Sequence, residues 1–224
     1  MPLQKPAVVL LALLVSGCAE LQAQQRATLG EQENAIRVRA QQGDAKAQFT
    51  LGEMYEHGRG VPQSFAEAVK WYQASAEQGF VAAQSTLGYL YQYGEGVAKN
   101  ARAAFMWNLK AAEQGDAHAQ HNLAVMYDEG ADIPVNDTEA VKWYRKAADQ
   151  GYDRAQLNLG VSYWRGEGVP QDYVEAYRLL NHVRVTTRDQ AIRWRARGVL
   201  DELKKVMTKE QIEAAGGKPG SRFY

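Results

Sequence analysis

The chain has 224 residues, 46% apolar and 23% charged, which excludes a disordered or fibrous polypeptide and allows one domain with a sizeable core. Lys plus Arg and Asp plus Glu number 26 each, so no broad positive field exists to hold nucleic acid, which is not expected as a partner. Cys18 is the one cysteine, so no disulfide can form within the chain and packing alone must hold the fold.

Residues 1–17 read as an export signal: one cation, Lys5, then an apolar run over 7–15, then small residues. The run is well short of the roughly 20 residues that a membrane-crossing helix needs. Val15-Ser16-Gly17-Cys18 resembles the lipobox of bacterial lipoprotein signal peptides. That resemblance implies diacylglycerylation of Cys18, cleavage before it and N-acylation. Each buried methylene contributes about 0.8 kcal/mol, so two or more acyl chains hold a protein on a membrane stably. Ala19 follows the cysteine where an aspartate would imply retention in the inner membrane. The expected location is therefore the outer membrane of the cell envelope, facing the periplasm. Residues 18–30, rich in glutamine, are the expected tether.

Residues 31–42 read as an unpaired capping helix, with Ala35 and Ala40 one period before Trp71 and Ala76. From 43 to 184 the sequence repeats at an interval of 36 in four copies: Gly43, Gly79, Gly115 and Gly151, and likewise Leu51, Leu87, Leu123 and Leu159. Each copy predicts two helices. In the first, Ala47, Leu51 and Tyr55 fall on one face. Gly52, Gly88, Ala124 and Gly160 beside the leucine predict close approach of a neighbouring helix, since glycine within a helix costs roughly 1 kcal/mol against alanine. Glycine-containing turns follow around Gly58, Gly94 and Gly166, with Asp132 in place of the second glycine in copy three.

The second helix opens at Ser64, Asn100, Asn136 and Asp172, side chains that accept hydrogen bonds from the first turn. Glu67, Glu139 and Glu175 sit where a capping box would close. Trp71, Trp107, Trp143 and Leu179 share a position further on, and the tryptophans predict fully buried wedges between repeats.

These residues carry a resemblance to the Sel-one-like repeat family of tetratricopeptide-type solenoids. The pattern is Ala-x-Ala-Gln-x-x-Leu-Gly-x-x-Tyr, Gly-x-Gly-Val and Ala-x-x-Trp-Tyr-x-x-Ala-Ala-x-Gln-Gly. The resemblance implies an all-α fold, a right-handed α-solenoid of helix-turn-helix repeats used mainly in protein recognition and assembly. At 185–215 capping helices are expected, with Ala191 in register, Arg195 in place of the repeat leucine, and Val199, Leu203, Val206 and Ile212 extending the apolar stripe. Residues 216–224, with Gly216, Gly217, Pro219 and Gly220, read as a flexible tail. The basic run Arg178, Arg184, Arg188, Arg193, Arg195, Arg197, Lys204 and Lys205 reads as a solvated cap surface, with anionic lipid or an acidic partner as the functional alternative.

Chemistry-bearing clusters are sparse. His118 and His121, three apart on a first helix, supply two metal ligands at most, with Asp116 the nearest third; a solvated helix face is the expected reading, with no metal and no cofactor. Ser, His and Asp single out no triad, and no enzymatic activity is expected.

The positions that vary while their surroundings repeat share one face of the first helices. In tetratricopeptide-type solenoids that face lines the concave groove. The residues expected to bind a protein or peptide partner are Phe49, Glu53, Tyr89, Tyr93, His121, Asn122, Arg154, Leu157, Asn158 and Trp164. Among them Arg154 with Asn122 and Asn158 at adjacent repeats suggests a peptide or carboxylate site. The expected function is a membrane-anchored periplasmic scaffold in envelope assembly or regulation. The alternative, a cell-wall hydrolase or β-lactam-binding protein, rests on cysteine-rich relatives whose disulfides this chain lacks.

Overall fold

The structure, a computed structural model, describes residues 30–130 and 132–216, and all regular structure among them is helical. Helix α1 covers 30–41. The four copies supply α2 (Ala45–His57) and α3 (Phe65–Glu77), α4 (Val81–Tyr93) and α5 (Ala101–Glu113), α6 (Ala117–Glu129) and α7 (Asp137–Asp149), and α8 (Asp153–Arg165) and α9 (Tyr173–Thr186). Then come α10 (Gln190–Val206) and α11 (Lys209–Gly216). The expected signal segment, Cys18, nearly all of the tether and the tail beyond 216 lie outside the described residues. Among those described, no helix is long and apolar enough to cross a membrane. The helices group into two compact units, one ending at Phe80 and the other beginning at Val81.

The second helices start where their side chains dictate. Ser64, Asn100 and Asn136 accept from the backbone N–H of Glu67, Ala103 and Glu139, and Asp172 accepts from Val174 and Glu175. The expected capping boxes do not close. The backbone N–H groups of Ser64, Asn100, Asn136 and Asp172 instead donate to the carbonyls of Tyr55, Tyr91, Tyr127 and Tyr163 at 2.8, 2.9, 2.9 and 2.9 Å. With that donor already satisfied, the glutamates turn outward: Glu67 pairs with Lys70 at 2.5 Å, Glu139 with Lys142 at 3.2 Å and Glu175 with Arg178 at 3.0 Å. Such exposed pairs contribute about 1 kcal/mol at most.

The glycines beside the repeat leucine do mark close approach. A β-carbon on Gly52 would lie 2.6 Å from the ring of Tyr72, and one on Gly160 would lie 2.8 Å from Leu180 Cγ. At Gly88 it would strike the Asn108 side chain. The residues they meet sit one position after Trp71, Trp107 and Leu179 and belong to a series that is buried in every copy: Tyr72, Asn108, Tyr144 and Leu180 are 1%, 0%, 1% and 0% exposed. The expectation of fully buried tryptophans holds only for Trp143. Trp71 and Trp107 are half-buried. Lys110 and Lys146 lie over Trp107 and Trp143, 4.5 and 3.8 Å from the ring centroids. One residue along a helix is a rotation of about 100°, enough to separate a half-covered face from the core.

Copy two departs from its siblings inside this series. Tyr72 and Tyr144 donate their hydroxyls to Glu56 and Asp128, each sixteen residues back. In copy two the pair is Asn108 and Gln92, and the Oδ1 of one and the Oε1 of the other are buried with no hydrogen-bond partner. Asn108→Tyr should therefore raise stability by about 1–2 kcal/mol, because a buried unsatisfied acceptor costs roughly 1–3 kcal/mol. Urea unfolding is the check, and a loss of stability would count against the assignment.

Turn geometry follows the glycines. Gly168 adopts φ +67°, and a β-carbon there would fall on the Asp137 backbone. Asp132 holds the matching place in copy three with φ 58°, a left-handed conformation that aspartate tolerates better than most residues.

The C-terminal cap slips by one residue. Its first helix is capped by Asp189, one position later than the repeat interval places it. The buried face of α10 is therefore Ile192, Ala196, Leu200 and Leu203, while Ala191 and Arg195 turn outward. Ala191 thus does not keep the repeat register, and Val206, expected on the apolar stripe, is 57% exposed. The core of this end gathers those four residues with Leu157, Ala176, Leu180 and Val183, and Ile212 packs against it.

Candidate functional site

In the C-terminal unit, side chains of α4, α6, α8 and the start of α10 line a cavity of about 460 Å³. Tyr89, Tyr93, His121, Asn122, Arg154, Leu157 and Asn158 all lie on its wall, so the repeat places seven of the ten expected residues together. Leu157 is 2% exposed and belongs to the core beneath the cavity, a floor rather than an anchor. Trp164 is absent from the lining and packs against the same C-terminal core. Phe49 and Glu53 belong to the N-terminal unit, where the Phe49 ring lies 5.4 Å from that of Tyr72 and 5.3 Å from that of Phe80. Phe49 is thereby engaged in packing.

A line of polar side chains runs across the wall. Asn158 Nδ2 lies 3.4 Å from His121 Nε2, His121 Nδ1 lies 3.4 Å from Asn122 Oδ1, and Asn122 Nδ2 lies 3.4 Å from His118 Nδ1. Amide nitrogens only donate and amide oxygens only accept. The line therefore has one consistent sense: Asn158 donates to His121, His121 through Nδ1–H to Asn122, and Asn122 to His118. Both imidazoles must be neutral for this pattern. Burial drives them that way, pushing His121 down to about 4 against the opposing bond to Asn122, with His118 and Arg154 adding to the shift. His118 is also lowered by burial, partly offset by Asp116.

The expectation of a solvated histidine face is corrected here. His121 is 8% exposed, with the rings of Tyr144 and Tyr152 at 5.8 and 5.2 Å. Apolar aromatic neighbours from α7 and from the turn before α8 cover what the helix period alone would leave open. Among the described residues no group of three or more His, Cys, Asp or Glu is placed to hold a metal.

The fold also brings Ser85 to Asp116 and His118, 31 and 33 residues further along the chain. Ser85 Oγ lies 3.0 Å from Asp116 Oδ1 and 3.2 Å from His118 Nδ1. In a hydrolase relay the carboxylate orients the imidazole and the imidazole faces the hydroxyl. Here Asp116 faces the hydroxyl itself and accepts the backbone N–H of Ala119 as the cap of α6. The three residues fasten α6 to α4.

Charge on the cavity wall is mixed: Arg154 and Arg195 face Asp128, Glu129 and Asp189. Burial raises the Asp128 carboxyl, with the Tyr144 hydroxyl opposing from 3.1 Å. Tyr144 and Asp189 escaped the sequence reading, and Arg195 was expected on the cap surface and not in this cavity. Tyr144 comes from a second helix, and Asp189 and Arg195 enter through the one-residue slip, for which the cap residue Asp189 was the available signal. What the wall offers is amide donors and acceptors, the exposed guanidiniums of Arg154 and Arg195, and tyrosine rings at the mouth, Tyr89 and Tyr93 lying 4.5 Å apart.

Comparison with known proteins bears on this architecture. The Sel1 repeat family matches at residues 45–80, 81–116, 117–152 and 153–181. No curated protein matches the chain. Among solved structures, a Sel1 repeat protein from Oxalobacter formigenes is 30% identical with a TM-score of 0.70, over 83% of this chain and 74% of that one. A protective antigen of uropathogenic Escherichia coli strains displaying an SLR fold is 40% identical with a TM-score of 0.65. The match spans 67% of this chain and only 32% of the antigen. With four family matches in register with four observed helix pairs, the chain belongs to the Sel1 repeat family of α-solenoids, a fold that typically serves protein–protein interaction.

Proposed function

We propose that the chain is a scaffold held on the membrane through lipidated Cys18, facing the periplasm, whose α4–α6–α8–α10 cavity binds a segment of a protein partner in envelope assembly or regulation. The observation that carries the binding role is the presence of Asn122, Asn158 and Arg154 on one cavity wall. An extended segment brings backbone donors and acceptors that the two amides match, and a carboxylate suits the guanidinium. The tyrosines at the mouth add aromatic area of the kind that anchors interfaces.

Peptides selected from a random library against the purified chain should bind Arg154→Ala plus Asn158→Ala about tenfold more weakly or worse, at unchanged helicity. Unaltered affinity would remove the cavity from the binding role. The anchor has its own check. Cys18→Ala should abolish fatty-acid labelling and leave residues 1–17 uncleaved, whereas undiminished labelling of the variant would contradict lipidation at Cys18.

A further inference from the structure

The fourth repeat differs from the others at two positions whose consequences meet in one cavity. The first is Leu179, which stands where the other copies carry Trp71, Trp107 and Trp143. In the N-terminal unit Trp71 packs against the cluster of Ala40, Ala47 and Leu51, and Trp143 sits in the cluster with Ala112, Ala119 and Leu123. Counting on by the repeat, the corresponding surroundings in copy four are Ala148, Ala155 and Leu159. Ala148, Leu159 and Leu179 border a cavity of about 440 Å³, which Tyr163 and the arginines Arg145 and Arg178 also line. The shorter leucine leaves open the space that an indole fills elsewhere in the same chain.

The second difference is a missing glutamine. In three copies a glutamine at the end of the second helix donates Nε2 to the Oε1 of a buried glutamine: Gln78 to Gln48 at 2.6 Å, Gln114 to Gln84 at 2.7 Å and Gln150 to Gln120 at 2.8 Å. Position 186, next in that series, is a threonine. Gln156 still donates to the Ala148 carbonyl at 3.1 Å, but its Oε1 is buried without a partner, and the residue, 9% exposed, is part of the wall of the same cavity. A buried carbonyl oxygen left without a donor calls for one. The charged residues on the wall balance, Arg178 being paired with Glu175 at 3.0 Å, Arg145 donating to the Tyr163 hydroxyl at 2.7 Å, and Asp149 adding a second acid. That balance selects against a bare ion and in favour of a neutral ring with an N–H beside it.

We infer that this cavity receives a tryptophan side chain of a partner polypeptide. The indole enters the space that Trp71 and Trp143 fill in their own copies, and a peptide N–H of the same segment donates to Gln156 Oε1. The site shares no residue with the α4–α6–α8–α10 cavity, so it is a second point of attachment and does not depend on the first.

The test titrates N-acetyl-tryptophanamide into the detergent-solubilised full chain, with binding followed by NMR and N-acetyl-alaninamide as control. The tryptophan amide should bind saturably, with shifts at Gln156, Leu159 and Leu179, and the alanine amide should not. Leu179→Trp supplies the indole internally and should weaken binding by about tenfold or more. Thr186→Gln, at an exposed position that cannot upset the core, restores the missing amide donor and should weaken it severalfold. Arg154→Ala plus Asn158→Ala should leave this binding unchanged, which separates it from the proposal above. Absence of saturable binding, or undiminished binding in both Leu179→Trp and Thr186→Gln, would overturn the inference.

Discussion

Tyr144→Ala should destabilise the chain by about 3–5 kcal/mol, the usual cost of deleting a large buried aromatic side chain. Tyr144 is 1% exposed and lies in the core cluster with Ala124, Ala140 and Ala147. Ala124 holds the place that glycine holds in the other copies, where Tyr72, Asn108 and Leu180 press on Gly52, Gly88 and Gly160. Small residues on one helix and a large one on its partner make a contact that a methyl group cannot fill. Removal of the ring also strands Asp128, whose carboxylate takes the Tyr144 hydroxyl at 3.1 Å. Tyr144→Phe isolates that second effect and should cost only about 1 kcal/mol. Urea unfolding measures both, and a cost below about 1 kcal/mol for Tyr144→Ala would show that the ring is not the keystone of copy three.

Acidification should weaken the fold through His121. In an unfolded chain its imidazole titrates near 6.5, whereas burial in the folded protein pushes it down to about 4. Between those values the unfolded chain holds a proton that the folded chain does not, so stability rises with pH across the window. The contribution is fully present above about 6.5 and falls away as pH drops, by about 3 kcal/mol near pH 4. Protonation also sets an N–H on Nε2 against the Asn158 amide that donates to it. His118, lowered for the same reason, acts in the same direction. The comparison variant is His121→Leu, since copy four carries Leu157 at the equivalent position. Urea unfolding at about pH 7.5 and about pH 4.5 should show a pH dependence about 2–3 kcal/mol shallower in the variant. Equal slopes would mean that His121 is charged in the folded chain or solvated.

Much of the fold was legible because the repeat writes it four times. The N-cap residues, the helix pairs and the close approach at Gly52, Gly88 and Gly160 all follow from residue type and spacing, and the structure places each where the spacing does. What escaped depends on neighbours in space. The capping boxes fail because Tyr55, Tyr91, Tyr127 and Tyr163 bring carbonyls from the preceding helix to the cap N–H. Repetition shows Trp143 and Tyr144 equally well; only the rotation of α7 about its axis decides which residue of each pair goes deepest. The slip in α10 comes from one extra residue before Asp189, and the inward pattern of Ile192 and Ala196 was there to be read against Arg195.

The candidate site was legible to a similar depth. Variation within a constant frame picked out Tyr89, Tyr93, Asn122, Arg154 and Asn158, which do line one cavity. It also picked Phe49 and Trp164, because an aromatic at a variable position looks the same whether it faces solvent or another ring. Phe80 and Tyr72 absorb the first, and the C-terminal core absorbs the second. The two departures of copy four, Leu179 and Thr186, lie 23 and 30 residues after Gln156, and only the fold brings Leu179 and Gln156 to one cavity wall.

The most direct measurement places a photo-crosslinking amino acid at Tyr93, 59% exposed on the wall of the α4–α6–α8–α10 cavity, in the full chain in intact cells. The expected result is a covalent adduct with a polypeptide, lost on adding Arg154→Ala and Asn158→Ala, and no such adduct from the same label at Lys142 on the outer side of α7. Equal adducts from both positions, or an adduct at Tyr93 indifferent to the double substitution, would contradict a partner segment held in this cavity.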